Sequence, residues 1–354
     1  MKSTLVRFAK LHGLGNDWVA VDTDDLRPLG ARAAGTRSRG APTFPESGRQ
    51  ALPDFARSIC DRHTGVGADG LIVVTEPKAW HRQSDPKQSK RAARAETGAR
   101  ARADADADVD KGWGAAVRFF NADGSEAEMS GNGIRCAAGF LWVRAALKLG
   151  DLPAKAATEA VERLRDLRIE TVAGVRSVAT LTRKVSEWTF RVGMGSPVLD
   201  PTAIPFGSRD TSVPVIKFPL RLSAATLPVT LTSMGNPHCS VFVDRFEDLD
   251  WQAVGREIER HQLFPHRTNV EFVKVRSRKR IDVRFWERGV GETQSSGTGS
   301  CAAVVACILN HATGRKVRVD TLAGTLEVAW PEGGEVSLTG PAALIAQGTY
   351  QFRG

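Results

Sequence analysis

The sequence predicts an α+β protein made of two pseudosymmetric lobes, because one pattern occurs twice along the chain. Ser130-Gly131-Asn132-Gly133 returns as Ser296-Gly297-Thr298-Gly299. Val117-Arg118-Phe119 precedes the first copy, and Val283-Arg284-Phe285 precedes the second at the same spacing. A short alternating run, a polar loop and an alanine-rich segment are typical of a strand, a loop and a helix. Two such units predict two similar lobes that face each other.

Each lobe is expected to be a strand-rich sheet or barrel around one central apolar helix. Cys301–Leu309 is apolar all round, which is typical of a helix buried inside its own sheet or barrel. After the first copy of the pattern, Phe140–Leu149 continues the corresponding helix. Short alternating runs such as Leu167–Thr171 and Ser177–Leu181 predict strands. The active site is expected in the cleft between the lobes, where the two patterns meet.

The predicted boundary between the lobes lies near residue 200. Residues 1–200 form the N-terminal lobe, with polar insertions at about 27–49 and 76–112. Such tracts bury too little apolar surface to offset the entropy of an ordered chain. Residues 201–340 form the C-terminal lobe, and the last strands, at about 341–354, could return to the N-terminal lobe.

Composition excludes several classes of protein. The 354 residues suffice for two domains, and no apolar stretch reaches membrane-spanning length. Met1–Phe8 enters a strand-like pattern without a signal-peptide core. The five cysteines lack metal-ligand spacing, and such scattered cysteines are typical of free thiols in a reducing cytoplasm. Much of the excess behind the net charge of +9 comes from two polar stretches, Arg27–Arg49 and Lys78–Arg102. No basic stretch is interleaved with aromatic residues, so nucleic acid is not expected as a partner.

The repeated Ser-Gly-x-Gly pattern predicts a binding site for a small anion. The first N–H groups of a helix lack internal partners and favour negative charge, and glycine lets an anion approach them closely. A serine there is also an ordinary helix N-cap, which for a single copy would be the simpler interpretation. Two copies, each preceded by a glutamate (Glu126 and Glu292), favour a two-sided anion site.

Five segments resemble the diaminopimelate epimerase family. They are Phe8–Asp22, Asp61–Leu71, Asn121–Cys136, Gly235–Cys239 and Glu287–Ala303. Members of this family invert one α-carbon of LL-diaminopimelate to give the meso form, for lysine and peptidoglycan synthesis. The resemblance implies a cytoplasmic, homodimeric isomerase with a small amino-acid substrate. It also implies two-base chemistry without pyridoxal phosphate or any other cofactor, and no metal.

The resemblance also assigns roles to individual residues. Ser130 and Ser296 occupy the positions of the two catalytic bases, and His238 is a possible supporting group. The substrate-binding positions fall into three groups: Gly131, Asn132, Gly297 and Thr298 for the reacting carboxylate, Asn16, Asn121, Asn236 and Asn269 for the distal end, and Glu287 with Arg288 for the ammonium and the distal carboxylate. An asparagine in a Gly-Asn turn could instead serve its own backbone.

The chain departs from the family at the two catalytic positions, where the family has cysteine. An alcohol is a far weaker acid than a thiol, so a serine pair would need activation by His12, His63, His238 or a carboxylate. The nearby Cys136 and Cys301 are expected to pack in the core. A second departure is Gly70, where many members carry a side chain that can bond to substrate.

Three functions remain open at this point. The first is an epimerase of diaminopimelate or a close amino acid that runs on a serine pair. The second is a related isomerase or α-proton-removing enzyme that acts on another amino acid or does not invert. The third is a catalytically inactive amino-acid-binding homologue. A deliberate double Cys→Ser replacement is also compatible with the sequence.

Overall fold

The structure, a computed structural model, describes residues 3–26, 46–75, 113–149, 154–208 and 212–353. The insertion predicted at about 76–112 lies outside these residues, as does most of the one predicted at about 27–49. Residues 46–49, at the end of the earlier insertion, already belong to a helix, so that helix begins before its first apolar residues.

The N-terminal half contains eight strands and three helices among the described residues. They are β1 (Ser3–Gly13), β2 (Asn16–Asp22), α1 (Glu46–Cys60), β3 (Gly70–Thr75), β4 (Trp113–Asn121), β5 (Glu126–Ala127), α2 (Gly131–Leu149), α3 (Ala154–Arg163), β6 (Asp166–Thr171), β7 (Gly174–Arg183) and β8 (Glu187–Gly195).

The C-terminal half repeats much of this order. Its elements are β9 (Phe218–Arg221), β10 (Thr226–Ser233), β11 (Pro237–Phe242), a short 3₁₀ turn (Phe246–Asp248), α4 (Trp251–Glu259), β12 (Asn269–Ser277), β13 (Arg280–Glu287), β14 (Gly291–Thr293), α5 (Gly297–Leu309), β15 (Lys316–Thr321), β16 (Gly324–Ala329) and β17 (Val336–Arg353).

The first barrel consists of eight strands: seven from the N-terminal half (all but β5) and β17 from the end of the chain. β1 and β2 are antiparallel, β2 and β3 parallel, β3 and β4 antiparallel, and β4 and β6 parallel. The antiparallel pairs β6–β7, β7–β8, β8–β17 and β17–β1 complete the circle. Closure leaves no free sheet edge, because every strand has a neighbour on each side.

The second half repeats the same series of pairings from β10 to β17. β10–β11 is antiparallel, β11–β12 parallel, β12–β13 antiparallel, β13–β15 parallel, and β15–β16 and β16–β17 antiparallel. β17 then pairs with β8, and an isolated bridge between Val198 and Ser233 connects the chain after β8 to β10. The two halves therefore share β8 and β17, and the lobe boundary near residue 200 stays a prediction.

Both inner helices lie in one apolar core. Ile134 and Leu141 of α2 and Val304 of α5 are fully buried within it. The prediction of a helix that is apolar on every side and buried is confirmed. It is α5, in which every residue of Cys301–Cys307 is buried. Burial of a large aliphatic side chain stabilises the fold by about 1.5–3 kcal/mol.

Side chains alternate between the inside and the outside of each barrel, and the outward set packs on an outer helix. Trp18 and Ala20 point into the inner core, whereas Val19 and Val21 pack with α1. In the second half α4 covers β11 and β12 in the same way. The predicted α+β class is confirmed. Of the helices within the described residues, none is long and apolar enough to span a membrane.

Candidate active site

The N-termini of α2 and α5 touch each other. A Cβ atom added to Gly131 would lie 3.0 Å from the Cα of Gly297, and one added to Gly297 would lie 2.9 Å from the Cα of Gly131. Only glycine fits this contact without movement of the backbone. The structure thus brings the two Ser-Gly-x-Gly patterns together, with their unpaired N–H groups side by side.

Each serine of the pattern caps its own helix. Gly133 N donates to Ser130 Oγ at 3.0 Å, and Gly299 N donates to Ser296 Oγ at 3.2 Å. Ser130 is half-buried and Ser296 is buried. Because each oxygen acts as an acceptor here, each hydroxyl keeps its own proton to donate.

A carboxylate lies beside Ser296. Burial raises the pKa of Glu287, and a hydrogen bond from Ser296 is the largest influence in the opposite direction. Glu287 can therefore receive the Ser296 hydroxyl proton. The corresponding position in the first half is Asn121, because the pair Leu71–Phe120 matches the pair Val270–Trp286.

An amide cannot exchange a proton in this way, so the two serines are chemically different. Asn121 donates instead to Ser125 Oγ at 2.9 Å. The two glutamates that precede the serines are exposed, and Glu126 pairs with Arg118 at 2.7 Å.

His238 is held at both ring nitrogens. Its Nδ1 lies 2.7 Å from Glu271 Oε1, and its Nε2 lies 2.9 Å from Asn236 Oδ1. Trp18 occupies the same position in the first half, and its Nε1 donates to Asn16 Oδ1 at 2.6 Å. Since an indole N–H can only donate, this position serves in both halves to orient the asparagine two residues earlier.

None of the histidines considered from the sequence is hydrogen-bonded to either serine. His12 Nδ1 accepts from Gly15 N at 3.3 Å, and His63 is exposed. Of the groups near the two serines, the carboxylate of Glu287 is the one that interacts with Ser296.

The four predicted asparagines are not equally free to bind a ligand. Asn269 donates to Pro237 O at 2.9 Å and accepts from Arg288 N at 3.0 Å, so it fixes the turn that carries Arg288. Asn236 accepts from His238, and its amide nitrogen has no hydrogen bond within the described part of the chain. That nitrogen remains available as a donor.

Asn16 belongs to a charged network that the sequence analysis missed. Its amide donates to Asp69 at 2.8 Å, and Arg62 bridges Asp69 and Asp17 at 2.7 and 2.9 Å. Burial acts to raise the pKa of Asp17, but hydrogen bonds from Arg62 and Lys10 together lower it. The available signal was the presence of Asp61, Arg62 and Asp69 in one short segment.

A second missed residue is Glu259, at the end of α4. Its carboxylate accepts from Trp286 Nε1 at 3.0 Å and from Gly289 N at 2.9 Å, on either side of Glu287 and Arg288. Arg288 itself is exposed and forms no ion pair with a described carboxylate. Its guanidinium donates one long bond, to His266 O at 3.4 Å, and its other N–H groups are available for a bidentate contact with a carboxylate ligand.

The remaining positions lie at the helix starts. Asn132 is buried, and Thr298 is half-buried at the same place in α5. Gly70 has no room for a side chain, since a Cβ there would lie 2.4 Å from the Trp18 ring and 2.6 Å from Phe120 O. Trp18 therefore fills the space that a side chain at position 70 would need. Within the described ranges no cluster of three His, Cys, Asp or Glu residues could hold a metal ion.

Sequence comparison connects this arrangement to known proteins. The family profile described as diaminopimelate epimerase matches residues 8–199 and 230–345. The diaminopimelate epimerase of Pelotomaculum thermopropionicum is 38% identical over 348 residues, which cover 98% of this chain and 100% of that protein. The diaminopimelate epimerase of Desulfitobacterium hafniense is 35% identical over 344 residues, 97% of each chain.

Solved structures agree at the level of the fold. A hydroxyproline epimerase from Agrobacterium vitis matches with a TM-score of 0.55 at 12% identity, over 98% of this chain and 93% of that one.

The resemblance found in five sequence segments is confirmed by the profile and by relatives that match along almost the entire chain. This chain belongs to the diaminopimelate epimerase family.

Proposed function

We propose that this chain is an epimerase that converts LL-diaminopimelate to the meso form by proton transfer at one α-carbon. The observation that carries the proposal is the contact between the two helix N-termini, each of which begins at a serine. A substrate carboxylate bound there would receive N–H groups from both helices, with one serine on each side of the α-carbon. The family supports the choice of substrate.

Inversion requires proton removal from one face of the carbon and proton delivery to the other. In one direction, Ser296 would take the α-proton while its own hydroxyl proton passes to Glu287. Ser130 would donate its hydroxyl proton to the opposite face. After turnover Glu287 holds one extra proton and Ser130 lacks one, so exchange with water restores both groups. In the reverse direction Ser130 would have to act as the base.

The binding residues would fix and stabilise the reacting centre. The amides of Gly131–Asn132 and Gly297–Thr298 would hold the carboxylate and stabilise the negative charge that develops on the carbon. Glu287 would accept from the substrate ammonium. At the distal end, Arg288 would bind the second carboxylate and Asn236 would donate its free N–H. Asn16 and Asn269 would mainly fix their loops, and Asn121 would line the same end.

A second candidate function follows from the difference between the two serines. Only Ser296 lies beside a carboxylate, whereas Ser130 has Asn121 at the corresponding position. Removal of the α-proton by Ser296, from one face of the carbon, is therefore easier than removal by Ser130 from the other face. Such an enzyme would exchange or shift an α-proton of diaminopimelate or another amino acid without inversion.

The proposal extends to the setting of the enzyme. We propose a cytoplasmic homodimer that acts on a free amino acid without pyridoxal phosphate and without nucleic acid. The five cysteines are buried and unpaired, as is typical of a reducing compartment.

Exchange of the α-proton in heavy water tests these functions. LL-diaminopimelate is incubated with the chain, loss of the α-proton signal is followed by NMR, and the isomers are separated by chromatography. Exchange with formation of the meso isomer supports the epimerase, and exchange without inversion supports the second candidate. Binding without exchange would identify an inactive binding homologue. The Ser130→Ala/Ser296→Ala variant is the matched control and should show no exchange.

A further inference from the structure

A buried arginine lies beneath the paired helix N-termini. Arg135, on α2, is fully buried. Its guanidinium donates to Gly131 O at 2.9 Å, to Asn132 Oδ1 at 2.7 Å and to Pro341 O at 3.0 Å. It is thus tied to the first two residues of α2 and, through the third bond, to β17.

No carboxylate balances this charge among the residues that the structure describes. The three acceptors are two backbone carbonyls and one side-chain amide. Burial lowers the pKa of Arg135 to about 10, so the group remains protonated at neutral pH. A buried charge is costly unless it is paired, and carbonyl dipoles compensate it only in part. An anion bound nearby would provide the missing compensation.

The neighbouring strands leave space for the guanidinium. A Cβ on Gly13 of β1 would lie 2.9 Å from the Arg135 guanidinium, and one on Gly340 of β17 would lie 3.3 Å from it. Gly13 therefore keeps open the site in which Arg135 is held, whereas the closest neighbour of a Cβ on Gly340 would be Leu326 at 2.4 Å.

The second half of the molecule has no equivalent of this cation. Arg135 stands five residues after Ser130, and the residue five positions after Ser296 is Cys301. Cys301 is buried and lies near enough to Arg135 for their charges to interact. One cation thus lies under the two adjoining helix starts, and its hydrogen bonds go to α2 and β17 but not to α5.

Asn132 provides an independent observation at the same place. Its side chain is 5% exposed, and Arg135 occupies its oxygen. Its amide nitrogen has no hydrogen-bond partner among the described residues. An amide nitrogen without a protein acceptor is suited to an acceptor supplied by a ligand.

We propose that Arg135 is a positioning residue that makes the start of α2 the stronger anion-binding end of the site. It turns the Asn132 amide so that the nitrogen is free to donate, and it supplies positive charge beneath Gly131 and Asn132. The ligand class is a carboxylate, and its identification as the reacting carboxylate of diaminopimelate rests on the proposed function. The second helix binds the same carboxylate with its amides alone.

A thiol introduced at position 130 reports the charge of Arg135 directly. In Ser130→Cys, the thiolate is titrated by its ultraviolet absorbance and by the pH dependence of its alkylation. Burial raises the pKa of Cys60, Cys136, Cys301 and Cys307 to about 12 and that of Cys239 well above its ordinary value, so these thiols do not interfere. Adding Arg135→Met should raise the pKa of the new thiol by about one unit.

The matched control removes another arginine from the same helix. Arg144 lies farther along α2 and pairs with Asp22 at 2.5 Å, so Arg144→Met should leave the pKa of the thiol at position 130 unchanged. A purely structural Arg135 would change the unfolding temperature but not the titration of that thiol in the folded variant. An unchanged thiol pKa in folded Arg135→Met overturns the proposal.

A second comparison keeps Arg135 in place and covers the case in which Arg135→Met does not fold. Glu287→Gln gives position 296 an amide neighbour, as Asn121 is for position 130. Two variants are then compared, Glu287→Gln with Ser296→Cys and Glu287→Gln with Ser130→Cys. The pKa of the thiol at position 296 should lie about one unit above that of the thiol at position 130. Equal values would overturn the proposal. Neither titration uses diaminopimelate, so failure of the proposed function would show separately, as a lack of α-proton exchange with inversion by the unaltered chain in heavy water.

Discussion

Glu259 offers a direct test of how the turn at Glu287 and Arg288 is held. The Glu259 side chain is almost completely buried and joins the end of α4 to Trp286 and Gly289. Arg267 approaches the same carboxylate at 3.4 Å. We expect Glu259→Ala to destabilise the fold and to loosen the turn that carries Glu287 and Arg288, the two proposed substrate-binding groups.

The expected cost can be estimated from the bonds that are lost. Trp286 is buried, so its N–H without an acceptor costs about 1–3 kcal/mol. Gly289 is exposed, and its N–H can bond to water, so that bond contributes about 0.5–1.5 kcal/mol. The pair with half-exposed Arg267 adds at most about 1 kcal/mol. We expect a total loss of about 1.5–5.5 kcal/mol in the free energy of unfolding.

The effect should depend on pH. Burial acts to raise the pKa of Glu259, but hydrogen bonds from Trp286 and Gly289 and two nearby arginines together lower it. A carboxyl group with a lowered pKa in the folded state stabilises the fold above its unfolded pKa, and this stabilisation is lost as the pH falls through the folded value. The parent chain and Glu259→Ala should therefore approach each other in stability below about pH 4.

Chemical denaturation at several pH values measures the stability, and titration calorimetry measures the affinity for diaminopimelate. The matched control is Glu257→Ala, which removes a carboxylate from the same helix. Glu257 bonds to Ser223 at an exposed position, so the control should lose no more than about 1 kcal/mol. A loss below about 0.5 kcal/mol in Glu259→Ala at neutral pH, with unchanged affinity, would refute the reasoning.

Three further predictions concern the site itself. Ser130→Cys with Ser296→Cys should raise the epimerisation rate at least about tenfold, because a thiol at a helix N-terminus ionises far more readily than an alcohol and so supplies a base near neutral pH. A rate that does not increase would mean that the serines belong to another mechanism. Arg288→Ala should cost about 2–4 kcal/mol of diaminopimelate affinity in calorimetry, since a desolvated charge loses its partner, and unchanged binding would remove Arg288 from the site. Gly297→Ala should destabilise the fold by about 1–3 kcal/mol in thermal unfolding because the two helix starts touch. Gly207→Ala, whose nearest neighbour would lie 3.7 Å away, should be neutral, and equal effects in the two variants would contradict the close contact.

The sequence by itself determined the repeated unit and its chemistry. The Ser-Gly-x-Gly repeat, the apolar pattern of α5 and the short alternating runs depend on residues close together in the chain, and such local patterns specify elements directly. The same local motifs were sufficient for the family. The sequence suggested separate last strands at about 341–354, whereas the structure has one continuous strand there, β17.

The tertiary structure decided which side chains meet. Asn269 and Asn236 are the same residue type in similar turns, yet the first is engaged at both ends and the second keeps a free donor. The roles of Glu259 and Arg135 follow from bonds to strands and turns far away in the chain. These contacts depend on barrel closure, in which β17 returns to pair with β1 and β8. No local pattern specifies that closure, because pairing between distant strands is set by the packing of the entire core.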